Sequence, residues 1–289
     1  MPKPRLSWDQ MLKVPVDKLN EYSFVPVRVI EHTDEMFRYL ARFTADLIRQ
    51  HPADGKPLVI AWPCGPKRHF PMLADICNRE RISWRNTFNI QVDEWLDWKC
   101  RKLPASHPFN LQSYLRRELL NRIEPNLRPR EEQMLWLDPL RIGGADDKLD
   151  EIGGIDVVFG GFGFTGHIAY NEPPTSRWFE ISNEEFLTSR TRIVPTNDET
   201  FIMHAHRSTG GNTRIIPPMA VTLGMKDWLG ARMARLVSDG GAWKQTVFRV
   251  LCMAEPTVKC PASFIQLHPN AEVIVDGKTA APPPDIFSN

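Results

Sequence analysis

Short apolar runs of strand length alternate along this chain with segments of helical periodicity. Strands are predicted at 25–30, 58–62, 87–92, 133–137, 155–159, 231–237 and 272–275. Helices are predicted at 34–50, with Thr33 as N-cap, and at 67–77, 111–120, 220–229 and 242–253. Strands and helices that alternate in this way are typical of a single doubly wound, mostly parallel α/β sheet with helices on both faces.

The length of 289 residues suits one large domain with a substantial core. The regular alternation begins near residue 25 and ends near residue 277. We therefore predict one domain at 25–277, preceded by an N-terminal extension at 1–24 that lies on the core. Residues 278–289 include three consecutive prolines and are predicted to form a flexible tail.

Charge and cysteine content narrow the classes of partner. Lys and Arg number 36 and Asp and Glu 35, so no overall field favours a nucleic acid or an anionic membrane surface. A small-molecule partner is expected instead.

The five cysteines form no C-x-x-C pair, a pattern typical of reduced thiols in a cytoplasmic protein and not of structural zinc. No apolar stretch approaches the roughly 20 residues that span a bilayer, and no signal-type segment follows Met1.

A glycine-rich segment directly follows the predicted strand at 155–159. Its glycines at 161, 163 and 166 match the G-x-G-x-x-G spacing of dinucleotide sites. Such sites also need a helix of about three turns and an acidic residue roughly 20 positions on. Pro173 and Pro174 end any helix too early, and the acidic residue is missing. The glycines are therefore predicted to shape a loop that presents His167 and Glu172.

Polar residues follow several of the predicted strands, where parallel sheets bind ligands. Asp93 follows an apolar strand, so partial burial could raise its pKa to that of a working base, although it could equally cap a helix or turn. His167 could be an imidazole oriented by Glu172, or a buried structural histidine. The loop holding Gly65 leads into two basic residues, which fits either a phosphate site or an exposed helix start. The pair His204 and His206 has no third metal ligand nearby and is predicted to lie in a surface loop.

The run from Gly163 to Pro173, which reads Gly-x-x-Gly-His-Ile-Ala-Tyr-Asn-Glu-Pro, resembles the glycine-rich loop of the glucosamine-6-phosphate deaminase and isomerase family. That family has Gly-His-Ile-Ala-Phe-Asn-Glu-Pro there. The resemblance extends over about 25–276, with supporting matches at 92–95, 107–108, 189–193, 220–224 and 266–269. The related 6-phosphogluconolactonases share the fold and a similar Gly-His loop but lack the continuation through Asn-Glu-Pro.

The resemblance implies an aldose–ketose isomerisation of a phosphorylated amino sugar coupled to loss of ammonia, with no metal or other cofactor. It implies that Asp93 moves a proton between C2 and C1 and that His167, held by Glu172, opens the sugar ring. Lys244 would bind the sugar phosphate together with Arg207 or its neighbour His206. Some family members are hexamers, so a homo-oligomer is one alternative, and an effector site at Arg190 and Arg192 is another open question.

Two departures from the family pattern limit what the resemblance implies. Thr165 replaces an aspartate two residues before the histidine, so a hydroxyl stands where a carboxylate would stabilise imidazolium. The phosphate loop reads Cys-Gly-Pro-Lys-Arg in place of Thr-Gly-Gly-Thr-Pro, which removes a backbone donor and adds charge. We therefore expect Gly65, Lys67 and Arg68 to hold the phosphate more through side chains than through backbone.

Three other functions compete with an amino-sugar phosphate deaminase. The first is a lactonase or an isomerase of another sugar phosphate on the same scaffold. The second is a sugar-phosphate-binding regulator without catalysis, which Thr165 and Pro66 would motivate. The third, a nicotinamide-dependent dehydrogenase, rests on the glycines alone and is disfavoured by the prolines that follow them.

Overall fold

The computed structural model describes residues 3–52, 55–174 and 180–284. Within these residues seven strands form a sheet in which every neighbouring pair is parallel, in the order β1-β10-β9-β6-β2-β3-β5. Numbered in chain order, these strands are β1 Val27–Ile30, β2 Leu58–Trp62, β3 Thr87–Gln91, β5 Met134–Leu135, β6 Val157–Gly160, β9 Met233–Ser238 and β10 Ala271–Asp276. The predicted fold class is confirmed.

A second, smaller sheet was not predicted. It contains β4 Asp93–Leu96, β7 Arg192–Pro195 and β8 Met219–Thr222, antiparallel in the order β4-β8-β7. The predicted helix at 220–229 is therefore wrong over its first part. Ala220 and Val221 pack into different apolar clusters on the two faces of β8, as the two-residue period of a strand requires.

The helices of the described residues complete the layers around the large sheet. They are α1 Trp8–Leu12, α2 Leu19–Tyr22, α3 Thr33–Gln50, α4 His69–Arg79, α5 Leu111–Glu118, α6 Gly143–Ile152, α7 Asn183–Leu187, α8 Asp198–Ser208, α9 Met225–Gly230, α10 Gln245–Met253 and α11 Gly277–Ala280. Thr33 is the first residue of α3 and not its N-cap, which is His32 with extended backbone angles. The Thr33 hydroxyl donates instead to Asp276 Oδ2 at 2.6 Å. Among the described helices, none is long and apolar enough to cross a membrane.

Strand β2 shows how the sheet separates two cores. Ile60 and Trp62 pack with α3 and α4 in one apolar cluster, whereas Val59 and Ala61 join a second cluster on the opposite face. Both faces of the strand are fully covered, as expected for a central strand of a parallel sheet. The rigid sheet thereby fixes the positions of the loops that leave its carboxyl edge.

The chain ends pack against this framework. Met11 and Leu19 of the predicted N-terminal extension lie in the same core cluster as Val59. At the other end, Thr279 and Ala280 of α11 are buried, while 285–289 lie outside the described residues. The division into an extension, a domain at 25–277 and a tail stays a prediction.

Candidate active site

A cavity of about 430 Å³ opens at the carboxyl edge of the large sheet. It lies beside β2, which has β3 on one side and β6 on the other, the kind of switch point at which α/β sheets bind ligands. Five of the predicted site residues line it, namely Gly65, Lys67, Asp93, His167 and Lys244. The other four, Thr165, Glu172, Arg68 and Arg207, do not.

Asp93 is the first residue of β4, directly beyond the end of β3. The residue is 8% exposed, and its Oδ1 is buried with no hydrogen-bond partner among the described residues. Burial raises the pKa of Asp93 to about 7, and the negative charge of Glu94 adds to the rise. The structure thus holds a carboxyl group that faces the cavity and exchanges its proton near neutral pH, as a general base must.

The carboxylate of Glu94, the next residue, is hydrogen-bonded, in contrast to Oδ1 of Asp93. It accepts hydrogen bonds from the backbone N–H groups of Leu111 and Gln112, both at 2.8 Å, and from that of Trp95 at 2.9 Å. The side-chain amide of Gln91 donates a fourth at 3.1 Å. Glu94 therefore satisfies the free N–H groups at the start of α5 and leaves Asp93 as the unpaired carboxyl of the two.

Glu94→Ala is expected to lower the free energy of unfolding by about 3 kcal/mol, because charge-assisted bonds to Leu111 and Gln112 are lost in a buried setting. Glu132→Ala is the matched control, since Glu132 pairs with Arg130 at the surface and exposed pairs contribute little. Urea denaturation of both variants measures the difference. Equal stability of the two variants would contradict this role for Glu94.

His167 lies in the loop that follows β6 and is 9% exposed. Its Nδ1 is 2.9 Å from Thr165 Oγ1, 3.3 Å from Thr200 Oγ1 and 3.5 Å from Glu172 Oε1. Burial, together with the nearby positive charge of Lys244, lowers the pKa of His167 to about 3. The imidazole is therefore neutral at physiological pH, and the hydroxyl of Thr165 is the nearest partner of its Nδ1.

The glycine-rich loop fits closely around this imidazole. A Cβ atom on Gly163 would come within 2.0 Å of both Cε1 and Nε2 of His167. Gly166 has a φ of +83°, which glycine adopts without strain, and a Cβ there would lie 2.5 Å from Cys260 Sγ. The glycines thus make room for the histidine ring, in agreement with the prediction that they shape a loop around it.

Glu172 lies behind His167 rather than in the cavity. Its Oε2 accepts a hydrogen bond from the backbone N–H of Asn197 at 2.5 Å, at the start of α8. Burial raises the pKa of Glu172, and a hydrogen bond from the Thr200 side chain opposes that rise. Glu172 therefore joins the glycine-rich loop to α8 and acts on His167 from outside the cavity.

Two lysines supply positive charge to the cavity. Lys244, just before α10, donates a 2.5 Å hydrogen bond from Nζ to the carbonyl of Phe162. Burial lowers the pKa of Lys244 to about 8, a change that Asp239 opposes and Arg207 reinforces. Lys67 follows the cis Gly65–Pro66 peptide and places its Nζ 4.3 Å from the centre of the Tyr114 ring.

The arginines predicted to bind phosphate do not line the cavity. Arg68 pairs with Asp34 at 2.6 Å and with the cavity residue Asp239 at 4.0 Å. Arg207 is exposed, and its guanidinium lies 5.9 Å from the centre of the Trp243 ring. Arg190, considered for an effector site, pairs with Asp150 at 2.7 Å.

His204 is one of the cavity residues that the sequence did not identify. The segment predicted as a surface loop belongs to α8, on which His204 lines the cavity and His206 is exposed. The spacing of Thr200 and His204 is the signal for this position, because residues four apart on a helix share a face. Thr200 contacts His167, so His204, one turn later, faces the same site.

Comparison with solved structures identifies enzymes with the same fold. A monomeric glucosamine-6-phosphate deaminase matches with a TM-score of 0.75 at 23% identity, covering 88% of this chain and 98% of that one. A 6-phosphogluconolactonase from Trypanosoma brucei matches with a TM-score of 0.64 at 19% identity, covering 89% and 97%. The protein thus has the α/β fold found in both classes of enzyme.

Sequence relatives identify the family. A glucosamine-6-phosphate deaminase from Tolumonas auensis is 30% identical over 251 residues, 82% of this chain and 84% of the relative. The corresponding protein of Caenorhabditis elegans is 27% identical over 253 residues, 85% and 87% of the two chains. No family model matches the chain. The chain belongs to the glucosamine-6-phosphate deaminase family, which confirms the resemblance noted from its glycine-rich loop.

Proposed function

We propose that this chain converts glucosamine 6-phosphate into a ketose phosphate and ammonia. The observation that carries the proposal is the unpaired carboxyl of Asp93, which faces the cavity with a pKa raised to about 7. The neutral imidazole of His167 and the ammonium groups of Lys67 and Lys244 line the same cavity. Membership of the deaminase family supports the choice of an amino sugar.

In this proposal Asp93 removes the C2 proton from the open-chain aldehyde and leaves an enediol-type intermediate that bears the amino group. Return of the proton to C1 gives an imine at C2, and water hydrolyses the imine to the ketose and ammonia. One carboxyl group suffices, because C1 and C2 are adjacent and can present one face to its oxygens. A pKa near 7 allows Asp93 both to accept and to return the proton.

His167 opens the pyranose ring by moving a proton from the C1 hydroxyl to the ring oxygen. The neutral imidazole can accept one proton and donate another, as this exchange requires. The hydroxyls of Thr165 and Thr200 either donate to or accept from Nδ1, and they therefore accommodate both ring tautomers. The phosphate would lie near Lys244 and Lys67, and participation of Arg68 or Arg207 stays a prediction.

The pure chain should be incubated with a panel of amino-sugar and neutral sugar phosphates, with ammonia and ketose phosphate measured together. We expect equal amounts of both products from glucosamine 6-phosphate. Hydrolysis of 6-phosphogluconolactone without ammonia release would identify a lactonase instead. Binding without turnover of any substrate would identify a regulator.

Activity should depend on pH because Asp93 must lose its proton and Lys244 must keep its own. The kcat/KM should rise as Asp93 loses its proton near pH 7 and fall as Lys244 loses its own near pH 8. His167 stays neutral over this range and should add no third transition. Lys244→Arg should shift only the alkaline transition to higher pH. A profile that is flat between pH 6 and pH 9 would contradict both assignments.

Thr165→Asp should speed ring opening several-fold, because a carboxylate near Nδ1 of His167 would stabilise imidazolium. Thr165→Asn is the matched control, since asparagine has the same shape without the charge. Turnover of closed-ring glucosamine 6-phosphate measures the effect. Equal rates for the two variants would mean that the missing charge does not limit the reaction.

A further inference from the structure

A second cavity, of about 770 Å³, lies next to the glycine-rich loop, and we call it the apolar cavity. Its walls come from helix α1, the glycine-rich loop, helix α10 and the segment that follows α10. Small-molecule sites in proteins occupy roughly 300 to 1,000 Å³ and have mostly apolar walls. The apolar cavity is therefore large enough for a small organic ligand.

Aromatic side chains form much of its wall. Trp8 and Trp243 line the cavity and are nevertheless 56% and 42% exposed. Phe164 also lines it, and its ring meets that of Trp243 edge-on, with 6.0 Å between the ring centroids. Large apolar side chains that stay exposed and are grouped at one place are typical of a binding site. Walls of this kind favour a flat aromatic ring.

The N-terminal segment that carries Trp8 is fixed to the end of α10. Arg5 donates hydrogen bonds from Nη1 to the carbonyl oxygens of Met253 at 3.0 Å and Ala254 at 2.7 Å. Ser7 caps the N-terminus of α1 with its side chain. These bonds set the position of Trp8 relative to α10, so this wall of the cavity is already formed.

Lys259 is the one charged side chain among the described residues that line the apolar cavity. It is exposed, and Glu255, the acidic residue nearest to it in the sequence, pairs with Arg5 at 2.8 Å. The ammonium group of Lys259 can therefore pair with an acidic group of a ligand. Aromatic walls together with one ammonium group fit an aromatic carboxylate.

The apolar cavity and the candidate active site share two wall segments. In the glycine-rich loop Phe164 and Thr165 line the apolar cavity, whereas His167 lines the active site. Before α10 Trp243 lines the apolar cavity, whereas the next residue, Lys244, lines the active site. Oγ1 of Thr165 lies 2.9 Å from Nδ1 of His167. A ligand in the apolar cavity therefore contacts a residue that is hydrogen-bonded to the active-site imidazole.

We propose that the apolar cavity binds an aromatic carboxylate, with its ring against Trp8 and Trp243 and its carboxylate near Lys259. We propose further that the bound molecule changes the environment of His167 through the Thr165 hydroxyl. The site is separate from the sugar-phosphate cavity, so it does not depend on the reaction proposed above.

Two ligands that share a naphthalene ring and differ in charge, 2-naphthoate and 2-naphthalenemethanol, test the site by calorimetry. Thr246→Phe places a ring inside the cavity and should weaken binding of both ligands about tenfold or more. Lys259→Gln should weaken binding of naphthoate about fourfold, as expected for pairing with an exposed ammonium group, and that of the alcohol less than about twofold.

Thr213→Phe and Lys56→Gln are the matched controls, because both residues are exposed and line neither cavity. Sorbitol 6-phosphate, a sugar phosphate without a carbonyl group, should not displace naphthoate from the unaltered chain. Displacement would overturn the proposal, as would unchanged naphthoate binding by Thr246→Phe. Equal losses of both ligands in Lys259→Gln would overturn the assignment of a carboxylate. Absence of naphthoate binding at millimolar concentration would overturn the site itself.

The link to His167 is tested by NMR of its imidazole and needs no turnover. Naphthoate should shift the Cε1–H resonance of His167 in the unaltered chain. Thr165→Val keeps the branched shape but lacks the hydroxyl, so naphthoate should still bind while most of the shift is lost. An equal shift in both proteins would show that Thr165 does not connect the ligand to His167 and would overturn that part of the proposal.

Discussion

Asp93→Asn is expected to lower kcat for ammonia release about 1000-fold, within the range that a general base contributes. Asparagine has the same shape but cannot accept the C2 proton. Affinity for sorbitol 6-phosphate should stay within about threefold, because the lysines of the cavity are untouched. Steady-state kinetics and calorimetry measure the two quantities. Loss of binding in parallel with turnover would mean that Asp93 holds the substrate and does not move its proton.

The same variant should be more stable than the unaltered chain at alkaline pH. The folded-state pKa of Asp93, about 7, lies above its ordinary value of 3.8, so the folded state holds the proton longer than the unfolded state. The unaltered chain therefore loses stability as the pH rises towards 7, whereas Asp93→Asn does not. Between pH 5 and pH 8 the difference in free energy of unfolding between Asp93→Asn and the unaltered chain should grow by up to about 3 kcal/mol.

Thermal unfolding at both pH values checks this prediction. Asp147→Asn is the control, since Asp147 lies exposed on α6 and should show no such pH dependence. A gap between Asp93→Asn and the unaltered chain that stays constant from pH 5 to pH 8 would show that the Asp93 carboxyl is not held in a desolvated position.

Gly163→Ala is expected to lower kcat/KM at least 100-fold, because the new Cβ would overlap Cε1 and Nε2 of His167 at 2.0 Å. The ring must move away, and a displacement of about 1 Å at a reacting group can reduce the rate by that factor. The lysines stand on other loops, so phosphate-dependent binding should change much less than turnover.

Gly143→Ala provides the control, because a Cβ on Gly143 meets no atom within 4 Å. Both variants should show the circular dichroism of the unaltered chain, and only Gly163→Ala should lose activity. Full activity of Gly163→Ala would show that the position of the His167 ring is unimportant.

The large sheet could be predicted from the sequence because its strands are short apolar runs bounded by turn residues. The small sheet could not. Only Val92 separates β3 from β4, so the two strands form one nearly continuous run in the sequence. Only Leu223 and Gly224 separate strand β8 from helix α9, and the pairing of β8 with its neighbours shows that its residues form a strand.

The sequence was sufficient to predict which loops form the site, but not which way each side chain points. Asp93, His167 and Lys244 each follow a strand, and the parallel sheet brings the ends of its strands to one edge. The direction of each side chain depends on packing that no local pattern encodes. Arg68 turns to Asp34, and on α8 His204 lines the cavity whereas Arg207 is exposed.

Transfer of the C2 proton by Asp93 is the central claim, and glucosamine 6-phosphate labelled with deuterium at C2 tests it most directly. NMR can follow loss of the label from C2, whether it moves to C1 of the ketose or into water. We predict rapid loss with the unaltered chain and retention of the label with Asp93→Asn. Loss of the label at comparable rates with both proteins would contradict the account.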